Sequence, residues 1–133
     1  MRHARGEFDV KVTPLPLAGP ADEPSLGRLS IEKRFRGDFV GVGEGQMLTA
    51  TTGVEGSAAY VAIERVSGTL EGRVGSFALQ HRGEMRGGQQ DLHVSVVPDS
   101  GTGGFAGIAG TLHIIIEGKN HRYELAYTLP ALR

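Results

Sequence analysis

The chain has 133 residues, contains no Cys and no Trp, and carries 21 Gly. One domain, covering residues 1–133, is the expected count for this length, and the lack of Cys excludes a disulfide scaffold, a thiol nucleophile and a Cys-ligated zinc site. The formal net charge of −1 argues against a nucleic-acid partner, because such binding favours a basic excess or stripe. No apolar run approaches the roughly 20 residues of a membrane helix, and the N-terminus lacks the apolar region of a signal peptide. We therefore expect a cytoplasmic protein with no membrane partner.

Apolar and polar residues alternate with a period of two along most of the chain, which predicts β-strands. The first predicted strand contains Phe8, Val10 and Val12, and a Pro-rich loop, which we expect to be flexible, follows at about residues 14–27. Seven further strands are predicted at 29–36, 39–52, 58–66, 76–85, 91–97, 111–117 and 122–129. The best helical candidate is one turn at 105–109, so the chain should be all-β with almost no helix.

Eight strands separated by turn signals favour a small antiparallel eight-stranded β-barrel over a sandwich. A barrel removes free strand edges, and Gly inside strands is typical of the sharp bends at which a sheet curls closed. Gly41, Gly43 and Gly45 lie on one face of the third strand and fit that need. The Gly then indicate the corners of a barrel rather than a disordered linker.

Two predicted strands are apolar on both faces. They contain residues 58–63 and the run Ile114, Ile115 and Ile116. A strand buried on both faces needs a cover on each, and no predicted helix is long enough to supply one. We therefore predict a homo-oligomer with these strands at its interface. The alternative is that loops cover the outer face.

The Gly-rich stretch at residues 100–110 resembles a phosphate loop only in composition. It lacks the Gly-Lys-Ser/Thr ending of such a loop, and a predicted strand follows it instead of a helix. We interpret it as an irregular connection whose Phe105 and Ile108 plug one end of the barrel. The five His show no metal-ligand spacing, so we expect no metal and no cofactor.

Five side chains are candidates for binding a ligand in the interior: Glu44, Tyr60, Glu64, His81 and Tyr127. His81 shares strand phase with apolar neighbours, and an inward His or carboxylate can act as a general acid or base. The alternative for each carboxylate is an internal salt bridge, with Arg34, Arg65 or Arg73 as a partner. The alternative for His81 and the two Tyr is ordinary core packing with a satisfied polar atom.

Four stretches carry a resemblance to a known family. They are residues 56–70, residues 72–81, residues 96–103 together with 107–110, and residues 118–129. Together they resemble the bacterial family called domain of unknown function 3224. The resemblance implies an eight-stranded barrel of the allene oxide cyclase-like type, often oligomeric, but it implies no activity. Allene oxide cyclases close an unsaturated fatty-acid epoxide in an apolar barrel, and none of their site residues is carried over.

Three functions fit such a barrel. It could bind a small apolar or amphipathic molecule in its lumen, which is the prediction we favour. It could be a cofactor-free cyclase or isomerase acting on an unsaturated lipid- or polyketide-like substrate, or a filled barrel serving as a structural or interaction module. A cavity of about 300 Å³ or more would favour the first two. The enzyme further requires a carboxylate or His that faces the cavity without a salt-bridge partner.

Overall fold

Nine strands make up the computed structural model, which describes residues 1–17 and 25–131. They are β1 (Arg2–Leu15), β2 (Leu26–Gly37), β3 (Phe39–Thr51), β4 (Ala58–Leu70), β5 (Arg73–Arg86), β6 (Gln89–Val96), β7 (Thr102–Gly103), β8 (Ala109–Glu117) and β9 (Asn120–Thr128). These described residues form no helix. The predicted helical turn at 105–109 is wrong: hydrogen bonds from Phe105 N to Thr102 O and from Ile108 N to Phe105 O close successive tight turns instead.

The strands pair in the order β4-β3-β2-β1-β9-β8-β6-β5, and a further pairing of β4 with β5 closes the ring. Every pairing is antiparallel. The two-residue β7 adds to β5 outside this ring. The predicted all-β fold, an antiparallel eight-stranded barrel, is therefore confirmed.

The strands on either side of the predicted loop are longer than the sequence indicated. β1 continues to Leu15 and β2 begins at Leu26, so Pro14 pairs with Leu29 inside the ladder. Pro is tolerated at such a position near a strand end. Residues 18–24 lie outside the described part of the chain, and the predicted flexibility of this loop stays a prediction.

One end of the barrel is filled with aromatic side chains. Phe39, Phe77 and Phe105 contact each other with ring centroids 5.5–6.3 Å apart, and Phe35 packs edge-on against Phe39. Phe105 is 0% exposed and Ile108 2% exposed, so the connection between β6 and β8 closes this end as predicted. Edge-to-face contacts of this kind add to the free energy gained from burial alone.

The outer face of β4 carries exposed apolar side chains. Val61 and Ile63 are 52% and 57% exposed, and Leu48 of β3, which lies opposite Val61, is 51% exposed. Their inward neighbour Ala62 is buried. Apolar groups on both faces of this strand motivated the predicted homo-oligomer, which stays a prediction.

Candidate ligand-binding site

The half of the barrel opposite the aromatic plug is hollow. Its cavity has a volume of about 480 Å³. The walls are mostly apolar and include Phe8, Val10, Ile31, Met47, Leu92 and Ile114. The rim carries Thr51 and Ala58 beside the β3–β4 turn, and Met85 and Gln90 beside the β5–β6 turn. The cavity is within the size range of small-molecule sites, about 300–1,000 Å³.

A buried cluster of Lys33, Glu64 and His81 lies at the inner end of the cavity. Lys33 Nζ donates a hydrogen bond to Glu64 Oε1 at 2.8 Å, and His81 Nε2 lies 2.7 Å from the same oxygen. The side chains of Lys33 and His81 are 5% and 3% exposed, and that of Glu64 is 0% exposed. Lys33 and His81 border the cavity, whereas Glu64 lies behind them.

The three strands β2, β4 and β5 place this cluster by simple alternation. Each residue stands two positions from a buried apolar neighbour on the same strand: Lys33 from Phe35, Glu64 from Val66, and His81 from Leu79. Successive side chains of a strand point to opposite faces, so all three point inward.

A Gly opposite Glu64 makes room for its carboxylate. A Cβ at Gly43 of β3 would lie 2.8 Å from Glu64 Oε2, closer than real Cβ atoms approach an oxygen. Glu64 Oε2 is buried and has no hydrogen-bond partner among the described residues. The predicted bend residue Gly43 therefore has a second role, which is to accommodate a buried charge.

Glu64 is held in its ionised form by its neighbours. Burial by itself would raise the pKa of this carboxyl, because it penalises the charged form. The hydrogen bond from His81 and the positive charge of Lys33 more than offset that penalty, so the pKa of Glu64 lies below its ordinary value. An ionised Glu64 accepts hydrogen bonds only, which means that His81 donates through Nε2.

This arrangement predicts a specific acid sensitivity. Because the pKa of Glu64 is lower in the folded state than its ordinary 4.5, its contribution to stability is present above that value and is lost as the pH falls through the folded-state pKa. The difference in free energy of unfolding between wild type and Glu64→Gln should therefore be largest at about pH 7 and shrink as the pH falls below 4.5. Urea titrations across this range measure both.

The control for this pH series is Glu124→Gln. Glu124 also has a lowered pKa, because Arg5 donates a hydrogen bond to it, but it lies on the surface. Its substitution should change the free energy of unfolding far less than Glu64→Gln does at about pH 7, because exposed ion pairs are screened by solvent. A difference between wild type and Glu64→Gln that stays constant across the whole range would contradict the assigned ionisation of Glu64.

Of the two carboxylates considered from sequence, only Glu64 faces inward. Glu44 is exposed on the outer surface of β3, opposite Glu32 and Arg65. It shares that face with Val40 and Val42, which are 58% and 47% exposed. The inward interpretation of Glu44 is therefore wrong, because the Gly of β3 face the interior and its Val face outward.

Tyr60 lines the cavity as predicted from its phase. A Cβ at Gly83 of β5 would lie only 2.3 Å from Tyr60 Cε1, so the ring occupies the space that this Gly leaves open. Burial, together with the nearby charge of Glu64, raises the pKa of the Tyr60 hydroxyl. At neutral pH the hydroxyl is a hydrogen-bond donor in the lumen.

Tyr127 lies away from the cavity. It is 1% exposed, and its hydroxyl donates a hydrogen bond of 2.7 Å to Glu71 Oε2 beside the β4–β5 turn. Burial, followed by the hydrogen bond to Glu71, raises the pKa of Tyr127 to about 12. Its position agrees with the alternative of core packing with a satisfied hydroxyl.

Sequence reasoning missed Lys33 and His121. The salt-bridge partner of Glu64 is Lys33 and not one of the three Arg considered, yet the signal was present: Lys33 shares strand phase with Ile31 and Phe35. His121 lines the cavity with its ring centroid 5.3 Å from that of Phe8. It sits two residues before the buried Tyr123, so its strand phase also predicts an inward side chain.

Within residues 1–17 and 25–131, no three His, Asp or Glu side chains are grouped so that they could hold a metal ion. No helix there is long and apolar enough to cross a membrane.

A closed eight-stranded barrel, packed at one end and hollow at the other, defines a small β-barrel protein with a luminal cavity. A family profile described as protein of unknown function (DUF3224) matches residues 4–127, and the chain belongs to this family. It is similar to a solved structure of a protein of unknown function from the DUF3224 family of Shewanella oneidensis MR-1, with 46% identity over 99% of both chains and a TM-score of 0.91. The search of curated proteins gave no match. The allene oxide cyclase-like relationship stays a prediction.

Proposed function

We propose that this protein binds a small apolar or amphipathic molecule in the hollow half of its barrel. The observation that carries the proposal is the cavity of about 480 Å³ with its mostly apolar lining. Removing an apolar ligand from water into such a site is favourable in proportion to the area buried. The few polar groups at the inner end would fix the orientation of the ligand.

The other two candidate functions are less well supported. A filled barrel acting as a structural module does not agree with a lumen that is packed over only half its length. A cyclase or isomerase requires a carboxylate or His that faces the cavity without a partner. Glu44 lies outside, and Glu64 and His81 are hydrogen-bonded to each other. His121 borders the cavity and makes no hydrogen bond or ion pair to a described residue, so it is the candidate acid or base for the enzyme alternative. The mostly apolar lining favours binding as the first proposal.

Filling the lumen tests this function. Ile114 lines the cavity, whereas the next residue, Ile115, does not. We expect Ile114→Trp to weaken the binding of 1-octanol at least about tenfold, because the indole ring occupies the apolar space in which the chain of the alcohol lies. Isothermal titration calorimetry gives the dissociation constants.

The matched control is Ile115→Trp, which adds the same ring to the outward face of the same strand and should leave the affinity for 1-octanol unchanged. The wild-type chain contains no Trp, so fluorescence of each variant reports whether the new ring is shielded. Equal loss of affinity in both variants, or in neither, would overturn luminal binding.

A further inference from the structure

The ammonium of Lys33 supplies free hydrogen-bond donors at the inner end of the cavity. The ammonium of Lys33 has three N–H groups, and among the described residues only Glu64 accepts from it. The remaining donors have no protein acceptor within residues 1–17 and 25–131. Lys33 is nearly fully buried beside an open cavity, and its ammonium has more N–H donors than the described residues accept from.

Two further polar residues border the same cavity. His81 uses Nε2 for Glu64 and borders the cavity. Tyr60 also borders it, and its hydroxyl makes no hydrogen bond to any described residue. Lys33 of β2 and His81 of β5 are joined through Glu64 at the inner end, whereas Tyr60 of β4 stands two positions from Ala58 at the rim.

The carboxylates near the cavity do not line its inner end. Glu64 balances the charge of Lys33, but it is fully buried behind Lys33 and His81 and does not border the cavity. Glu84 and Asp91 at the rim are exposed and point outward, since they alternate with inward residues on β5 and β6, and Asp91 pairs with His93 at 3.0 Å. Apart from the buried Glu64, no described carboxylate faces Lys33, so an anionic group would find hydrogen-bond donors at the inner end.

Resting on the luminal binding proposed above, we infer that the natural ligand is an amphipathic monocarboxylate that binds with its carboxylate against Lys33 at the inner end and its apolar chain toward the rim. Hydrogen bonds between an ammonium and a carboxylate are shorter and about twice as strong as neutral ones. The rings of Phe8 and Phe35 lie 5.0 and 5.9 Å from Lys33 Nζ, within the range of cation–π attraction.

Three ligands with the same alkyl chain test the inference in the wild-type protein. Isothermal titration calorimetry at about pH 7, where carboxylic acids are ionised, should give octanoate a dissociation constant at least about tenfold lower than that of 1-octanol. Octylamine should bind most weakly. Equal affinity of octanoate and 1-octanol would overturn the carboxylate assignment but leave luminal binding intact. Tighter binding of octylamine than of octanoate would likewise overturn the carboxylate assignment. Binding of none of the three would overturn luminal binding itself.

A pair of variants assigns the preference to Lys33. Lys33→Met alone would leave Glu64 buried without its cation, so the variant to use is the double substitution Lys33→Met with Glu64→Leu, which removes both charges. It should bind 1-octanol at least as tightly as octanoate. The control is Lys11→Met, because Lys11 is exposed on the outer face of β1, and this variant should keep the preference for octanoate. A preference that survives in the double variant would contradict the position of the carboxylate.

Discussion

Glu64→Leu is expected to lower the free energy of unfolding by about 3–5 kcal/mol. The substitution leaves the ammonium of Lys33, which is nearly fully buried, without its carboxylate, and removing one partner of a buried ion pair costs far more than the pair itself contributes. Chemical denaturation with urea measures the change.

The double variant Lys33→Met with Glu64→Leu separates this explanation from a simple loss of packing. With both charges gone, the interior keeps a similar volume and contains no unpaired ion, so most of the lost stability should return. A double variant no more stable than Glu64→Leu would show that the shape of the side chains, and not the unpaired charge, explains the loss.

Phe105→Ala should have an effect of similar size. Phe105 is 0% exposed and packs against Phe39 and Phe77 at the closed end. Truncation to Ala removes these contacts and leaves a cavity, at a cost of about 3–5 kcal/mol. Urea denaturation again gives the difference from wild type.

Val74→Ala is the control for this substitution. Val74 lies on β5 close to the same plug but is 68% exposed, so its truncation should change the free energy of unfolding by no more than about 0.5 kcal/mol. If both variants lose the same amount, or Phe105→Ala loses nothing, the connection between β6 and β8 does not hold the barrel together.

The eight strands of the barrel could be predicted from sequence because each has a regular alternation bounded by turn residues. Their ends were harder to predict. β4 and β5 pair from Ala58 with Met85 to Leu70 with Arg73, further than the apolar pattern extends, because small residues such as Gly68 and Gly75 join the ladder through their backbone.

Only part of the candidate site could be predicted from sequence, and the reason is physical. Glu64 and His81 stand in phase with large buried neighbours, so their inward direction could be deduced from their strands. In the middle of β3 the residues that face inward are Gly, since there is no room for a Cβ beside Glu64, and the apolar Val40 and Val42 occupy the outer face. The phase that Glu44 shares with these two apolar residues therefore predicted an inward side chain, whereas Glu44 is exposed.

Lys33, the partner of Glu64, is hard to predict from sequence because a charged residue is usually exposed. Lys33 sits between Ile31 and Phe35 in strand phase, and a long Lys side chain packs its methylene groups against apolar neighbours while its ammonium finds a partner. A buried acid without an assigned partner predicts such a cation on a nearby strand. The pairing of β2, β3 and β4 needed to bring the two together is known only from the barrel.

The central claim is that the hollow half of the barrel holds a ligand, and the three Met of the chain test it most directly. Met47 and Met85 line the cavity, whereas Met1 is 81% exposed outside it. With ¹³C-methyl-labelled Met, titration with octanoate or 1-octanol should shift the methyl resonances of Met47 and Met85 along one saturable curve and leave that of Met1 in place. If neither Met47 nor Met85 shifts at saturating concentrations of both ligands, the lumen is not the binding site.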